Sequence, residues 1–345
     1  MKFTSFLNKA NLLTTVVLYC SLYPPIIVVC ILAEWCTTGS RLRKELVKIL
    51  KSYWSHITFA FFSFYLKNNI TIVYNKKFLK PRRSLVISNH VSNYDWIVLI
   101  KIFYFFEKFY ELSIILKKEL EKLPIVGRGM KMFNYIFLKR DLKSDEEVIK
   151  RNMVKLQNEK EFYLLLFPEG TILCESTHKL SEKWAETTQF NFNFENVLIP
   201  RKTGFNLIIN SLFDKIDNLT DITIFNIPKT KYIHDTLSVE NLFIKKNVKF
   251  NFLFLIDVYE KNEEMKQEDF IYKIFDRKNE VLKKYHNSNL EFIDFLVQER
   301  LVNNEYEIID INFTGLITYF IYFVVIFSLS VLFYYSYSIL LSCKI

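Results

Sequence analysis

The chain has 345 residues, half of them hydrophobic and 17% aromatic, with a formal net charge of +9. So apolar a composition excludes a disordered chain, and the aromatic content points to a membrane. The positive charge fits an anionic bilayer or a phosphorylated substrate as well as nucleic acid; with no nucleic-acid module, zinc spacing or glycine-rich nucleotide loop, neither nucleic acid nor a metal is expected as a partner.

From Ala10 to Ala33 the chain is uncharged for 24 residues, more than the roughly 20 needed to span a bilayer. Pro24-Pro25 predicts a kink inside the run. The run is too long for a cleaved signal core and no small-residue cleavage site follows it, so an uncleaved anchor is expected. Lys2 and Lys9 precede it, whereas Arg41, Arg43, Lys44, Lys48 and Lys51 follow. The heavier basic flank places the following domain in the cytosol. Tyr53 to Tyr65 is shorter and polar at Ser55 and His56, which suits an interfacial helix. Residues 1–68 thus form the expected N-terminal anchor and interfacial helix.

Over residues 69–303 short apolar runs alternate with longer amphipathic ones, the pattern of an α/β domain with a mixed sheet flanked by helices. Strands are expected at Ile70–Tyr74, Leu85–Ser88, Ser113–Leu116, Tyr135–Leu138, Phe162–Phe167, Asn196–Ile199, Ile222–Ile227 and Phe250–Tyr259. Helices are expected at Tyr94–Phe106, Ser144–Gln157, Leu180–Thr188, Gly204–Leu212 and Glu268–His286. The last apolar stretch, Ile311 to Cys343, is uncharged for 33 residues. One tilted span or a tight hairpin bending near Ser328 to Ser330 both fit it, so residues 304–345 are the expected C-terminal membrane segment. The five cysteines make no disulfide framework and read as a reduced, intracellular protein.

Four stretches carry chemistry. In Asn89-His90-Val91-Ser92-Asn93-Tyr94-Asp95 a histidine ends a strand and a carboxylate opens the next helix. Neutral imidazole accepts a proton near cytosolic pH, and a carboxylate fixes its tautomer. A capping box from Ser92 to Asp95, with His90 merely packed, explains the same spacing, and the two readings are compatible. Phe137-Leu138-Lys139-Arg140 is a strand with a cation at its end, and arginine matches phosphate with a bidentate fork. Phe167-Pro168-Glu169-Gly170-Thr171 ends a strand in a turn whose Gly170 and Thr171 amides suit a phosphate oxygen, or is simply a strand-ending turn with a solvated glutamate. Ile199-Pro200-Arg201-Lys202-Thr203-Gly204-Phe205 is a strand cut by proline and followed by a basic turn.

In this order and spacing the four stretches resemble the glycerolipid, or lysophosphatidic acid, acyltransferase family. That family carries an NHxxxxD block, an arginine-bearing strand, a PEGT block and a late proline block. The resemblance covers roughly residues 84 to 206. The Pro-Arg-x-x-Gly-Phe run at 200 to 205 and Phe-Leu-Lys-Arg at 137 to 140 are most similar to the eukaryotic lysocardiolipin and lysophosphatidylinositol acyltransferase branch. One departure is Ile172, where many relatives have arginine. The resemblance implies that His90 is the general base and that Asp95 orients it. It further implies that Arg140 with the Gly170 and Thr171 amides binds the acceptor phosphate. Asn89, Pro168, Glu169, Pro200 and Arg201 are supporting residues, with Glu169 holding Arg140 or its own loop.

The implied substrates are acyl-CoA, as co-substrate with no other cofactor, and a lysophospholipid, met at a bilayer. The implied location is the endoplasmic reticulum membrane, with the chain anchored at both ends or multi-pass. A CoA-independent phospholipid transacylase and a silent lipid-binding membrane protein are the competing expectations.

Overall fold

The run Ser84 to Ser88 is buried without a break, the mark of a strand covered on both faces. In the computed structural model, which describes residues 41–63, 70–123, 126–188, 190–245 and 250–312, that run lies within an eight-stranded sheet. Contacts divide the chain into two units, residues 1–67, 242–246 and 312–345, and residues 68–241 and 247–311.

In the first unit the described chain is chiefly helix α1 (Arg41–Ser63). The interfacial helix expected from Tyr53 is the second half of this element, and the basic flank forms its first turns. Phe61 and Phe62 meet Phe243 of the same unit at 5.8 and 6.2 Å between ring centroids. Among the described residues no helix is long and apolar enough to cross a membrane. The expected anchor at 10–33 and the apolar stretch beyond residue 312 lie outside the described residues.

The second unit runs β1 (Ile70–Asn75), β2 (Arg83–Ser88), α2 (Asp95–Phe105), β3 (Leu112–Lys117), α3 (Val126–Met132), β4 (Ile136–Leu138), α4 (Leu142–Gln157), β5 (Phe162–Leu166), α5 (Glu175–Thr188), α6 (Lys202–Leu212), β6 (Asn218–Ile227), α7 (Ile233–Thr236), β7 (Asn251–Glu260), α8 (Phe270–Asn287), α9 (Phe292–Gln298) and β8 (Tyr306–Ile311). The strand order is β4-β3-β5-β2-β6-β7-β1-β8. The block from β4 to β6 is parallel. Strand β7 is antiparallel to β6, β1 is parallel to β7, and β8 turns back against β1. The expected mixed α/β sheet flanked by helices is therefore present.

Side chains alternate across the sheet. Leu85, Ile87, Leu164 and Leu219 point to a core shared with Ile149 and Met153 of α4, Phe205 and Ile209 of α6, and Phe275 and Leu282 of α8. Full burial stabilises each such Leu or Ile by about 2 kcal/mol over an exposed one. On the other face, Phe103 of α2 packs edge-on against Phe78 and Tyr163.

The structure corrects three expectations. Asn196–Ile199 is buried yet not a strand. The Asn279 side-chain oxygen accepts the amides of Glu195 and Asn196 at 2.8 Å each, and the Ser181 hydroxyl accepts that of Ile199, so side chains take the place of a neighbouring strand. Strand β8 lies past the expected domain boundary at 303, and it takes Ile311 out of the apolar stretch assigned to the membrane. Helices α3 and α9 were also not anticipated.

Loops leaving the carboxyl ends of a parallel sheet form the usual ligand crevice. The loops after β2, β4 and β5 leave from that edge, and they carry three of the four stretches singled out above.

Candidate active site

Asn89 leaves β2 with its side chain locked onto β6. Its Nδ2 donates to the Ile224 carbonyl at 3.1 Å and its Oδ1 accepts the Ile224 amide at 2.8 Å. This pair extends the β2–β6 ladder beyond its last paired residues, Ser88 and Ile222. The next residue, His90, is thereby aimed from a fixed point. Its Nδ1 lies 2.9 Å from Asp95 Oδ2, and the ring stacks on Phe167 at 4.3 Å.

Asp95 opens α2 with its side chain 0% exposed, against 16% for His90. The same Oδ2 accepts the amides of Val91 at 2.7 Å and Ser92 at 2.9 Å, while Oδ1 accepts the Ser92 hydroxyl. One carboxylate thus makes the contacts that both readings of the spacing call for. The carboxylate closes the loop in the manner of a capping box and also orients the imidazole. With Nδ1–H donating to Asp95, Nε2 is left as the acceptor.

After β5 the Gly170 amide donates to the Phe167 carbonyl at 3.0 Å. This closes a four-residue turn with Pro168 in the second position, where its fixed φ is favourable. Gly170 has φ +70°, a region that side-chain-bearing residues avoid. The Gly170 amide, expected at a phosphate oxygen, is thus engaged within the turn in this structure. Thr171 remains at the cavity wall with no hydrogen bond from its amide among the described residues.

Glu169 is buried and holds the loop. Its Oε2 accepts the His90 amide at 3.2 Å, and the His90 carbonyl accepts the Leu173 amide at 2.8 Å. Its Oε1 has no hydrogen-bond partner among the described residues. Burial pushes its pKa well above the usual carboxylate range, against the pull of the His90 amide and the Lys278 charge.

Arg140 follows β4 in the left-handed region, at φ 68°. The buried Asp145 carboxylate fixes it there, accepting the amides of Lys139 at 2.9 Å, Arg140 at 2.7 Å and Asp141 at 3.1 Å. Burial, then the charge of Arg201, lower the Arg140 pKa from its ordinary value. Pro200 is buried, and the Arg201 amide donates to the Pro168 carbonyl at 2.8 Å. The proline-arginine turn is thus tied to the Pro168 turn.

These pieces surround one cavity of about 1070 Å³. His90, Arg140, Thr171 and Arg201 supply polar groups, while Trp96, Leu138, Leu166, Leu180, Trp184 and Phe205 supply apolar wall. The volume sits at the upper end for small-molecule sites, which suits a ligand with a long chain. Chemically, the site unites an oriented imidazole, two arginines and an apolar wall.

Residues 70–225 match the family model described as Acyltransferase, a span that holds every residue just named for the polar site. Over that span the chain is similar to acyltransferases. It is 33% identical over 170 residues to an uncharacterized acyltransferase of Schizosaccharomyces pombe, covering 48% of this chain and 48% of that protein. It is also 33% identical over 166 residues to lysocardiolipin acyltransferase 1 of Danio rerio, covering 46% of this chain and 42% of that one. The chain thus spans about half the length of the curated relatives it matches. The solved lysophosphatidic acid acyltransferase PlsC of Thermotoga maritima superposes with a TM-score of 0.45 at 14% identity, covering 82% of this chain and 100% of that one.

Two features of this domain escaped the sequence reading. One is Asp145, although the spacing of five from Arg140 to Asp145 repeats that from His90 to Asp95. The other is Lys278 of α8, fully buried, whose Nζ donates to Asp221 at 2.8 Å, the Ile222 carbonyl at 2.9 Å and Thr223 at 2.8 Å. No local pattern announces a lysine in an otherwise amphipathic helix as a core residue.

Proposed function

We propose that this protein moves a fatty acyl chain from acyl-CoA to the free hydroxyl of a lysophospholipid of the lysophosphatidic acid, lysophosphatidylinositol or lysocardiolipin type. The supporting observation is the 2.9 Å bond from His90 to Asp95 at the wall of a cavity that also holds Arg140 and a large apolar surface. A proton acceptor, a place for phosphate and a place for a fatty chain share one space.

In this reading His90 Nε2 takes the proton of the acceptor hydroxyl as its oxygen attacks the thioester carbonyl. The carbon–sulfur bond then breaks, and the imidazolium returns the proton to the departing thiolate of CoA. Asp95 stabilises the imidazolium between those events. Arg140 and the Thr171 amide hold the acceptor's phosphate. The hydrogen-bond partner of the His90 ring is Asp95 rather than a serine or cysteine, which favours direct transfer without an acyl-enzyme.

Both substrates carry acyl chains, so the reaction belongs at a bilayer surface. Leu180 and Trp184, which line the cavity, are 69% and 47% exposed and suit an opening toward lipid. The proposed setting is the cytosolic face of the endoplasmic reticulum, with the apolar runs at 10–33 and beyond 312 as membrane segments.

Purified full-length protein given labelled acyl-CoA and a panel of lysophospholipids tests the reading. Transfer to one or more acceptors is expected. Transfer from intact phospholipid with none from acyl-CoA would replace it with a transacylase, and lipid binding without transfer would leave a silent protein.

A further inference from the structure

Arg140 and Arg201 face the same cavity, and neither guanidinium forms an ion pair among the described residues. Glu119, the acid whose charge reaches Arg140, sits 3.7 Å from Lys117. The neighbouring Lys202, by contrast, is matched by Glu268 at 3.0 Å. Two like charges facing one cavity repel, and an anion joining them relieves that repulsion. Arg201 is also built into position. Its backbone is fixed by the Pro168 carbonyl, and its side chain crosses directly over Gly170, where an added Cβ would lie 2.7 Å from Nε. The turn that secures His90 through Glu169 is therefore shaped around this arginine. Ile172, in the same wall, brings no charge.

We infer that Arg140 and Arg201 form a two-guanidinium clamp for the acceptor's phosphate group, with Arg201 an acceptor-binding residue rather than a support for its loop. The inference rests on the acyltransfer reading for the identity of the ligand. CoA also carries phosphate, so the shared chemistry is a phosphate ester, and the test separates the two sources. The clamp is assigned to the acceptor because Arg201 lies over the turn that secures His90, the residue that must reach the acceptor's hydroxyl.

Steady-state kinetics of the full-length protein with lysophosphatidic acid and acyl-CoA, each varied in turn, read the clamp in Arg201→Gln and Arg201→Lys. The Arg201 amide bond survives either change and the side chain is exposed, so folding is retained. In Arg201→Gln the acceptor KM should rise on the order of tenfold or more, the value of one charge-assisted hydrogen bond, with the acyl-CoA KM unmoved. Arg201→Lys should fall between the two, and Lys202→Gln should match wild type. An unchanged acceptor KM, or a rise in the acyl-CoA KM instead, would overturn the assignment. Retention on neutral-detergent micelles carrying lysophosphatidic acid, relative to micelles carrying monoacylglycerol, gives a readout without turnover. Wild type should prefer the phosphorylated lipid and Arg201→Gln should lose that preference. If wild type transfers no acyl group the functional reading falls, and this binding comparison still decides the clamp: equal preference in the two proteins refutes it.

Discussion

Asp95 and Asp145 perform the same operation on the loops that carry His90 and Arg140. Each is a buried carboxylate in the first turn of a helix, and each gathers the amides of the loop that precedes it. Each also fixes a functional side chain five residues upstream, His90 in one case and Arg140 in the other. The difference lies in how the fixing is done. Asp95 grips the His90 ring itself, whereas Asp145 grips the Arg140 backbone and leaves the guanidinium free.

Replacing the base separates chemistry from folding. His90→Ala should lower kcat by at least ~100-fold, the contribution of a positioned general base, with little change in Tm. Asp95→Asn should lower both, because the same carboxylate oxygen serves His90 and two backbone amides. Turnover near wild type for His90→Ala would remove it from the base role.

Asp145→Ala leaves three consecutive amides without their acceptor. A loss of stability on the order of 2 kcal/mol is expected, together with a raised acceptor KM as Arg140 leaves its left-handed conformation. Chemical denaturation and kinetics on the same preparation measure both. A stability loss with acceptor KM unchanged would separate Asp145 from Arg140.

Glu169 gives a pH signature whose sign is fixed by burial. Its pKa is raised in the folded chain, so above about pH 4.3 the unfolded chain releases a proton that the folded chain retains. This group's stabilising contribution is complete below that pH and is lost as pH rises through the folded value. Glu169→Gln lacks this loss. The Tm of the variant relative to wild type should therefore climb with pH, and a difference that stays flat from about pH 5 to 9 would contradict the raised Glu169 pKa.

Lys278→Met tests the buried charge beneath the site. It leaves Asp221 without the cation at 2.8 Å and should cost about 3–5 kcal/mol, the usual effect of breaking a buried pair. Lys278→Met with Asp221→Asn should recover part of the loss, as read by denaturant midpoint.

The sequence reading succeeded where chemistry is local. His90 with Asp95, the Pro168 turn and the cation after β4 are each set by residues within a few positions, and the central strands by unbroken apolar runs. It failed where a distant residue decides. Asn196–Ile199 has the apolar pattern of a strand, but Asn279 of α8 supplies its hydrogen bonds instead of a neighbouring strand. Strand β8 is an edge strand bearing Glu307 and Asp310 on exposed positions; edge strands are commonly charged, so the apolar signal that marks the interior strands is absent.

The stack of His90 on Phe167, with the His90 amide on Glu169, joins the proton-accepting ring and the turn beneath Arg201 into one rigid piece. On the proposed reading the substrate is held by that piece at both ends, and the site works as a gauge. It sets how far the reacting hydroxyl sits from the phosphate, and it is indifferent to what lies beyond either. Acceptors that share this interval qualify together, whatever their headgroups, and moving the hydroxyl by one carbon should disqualify a molecule that is otherwise the same.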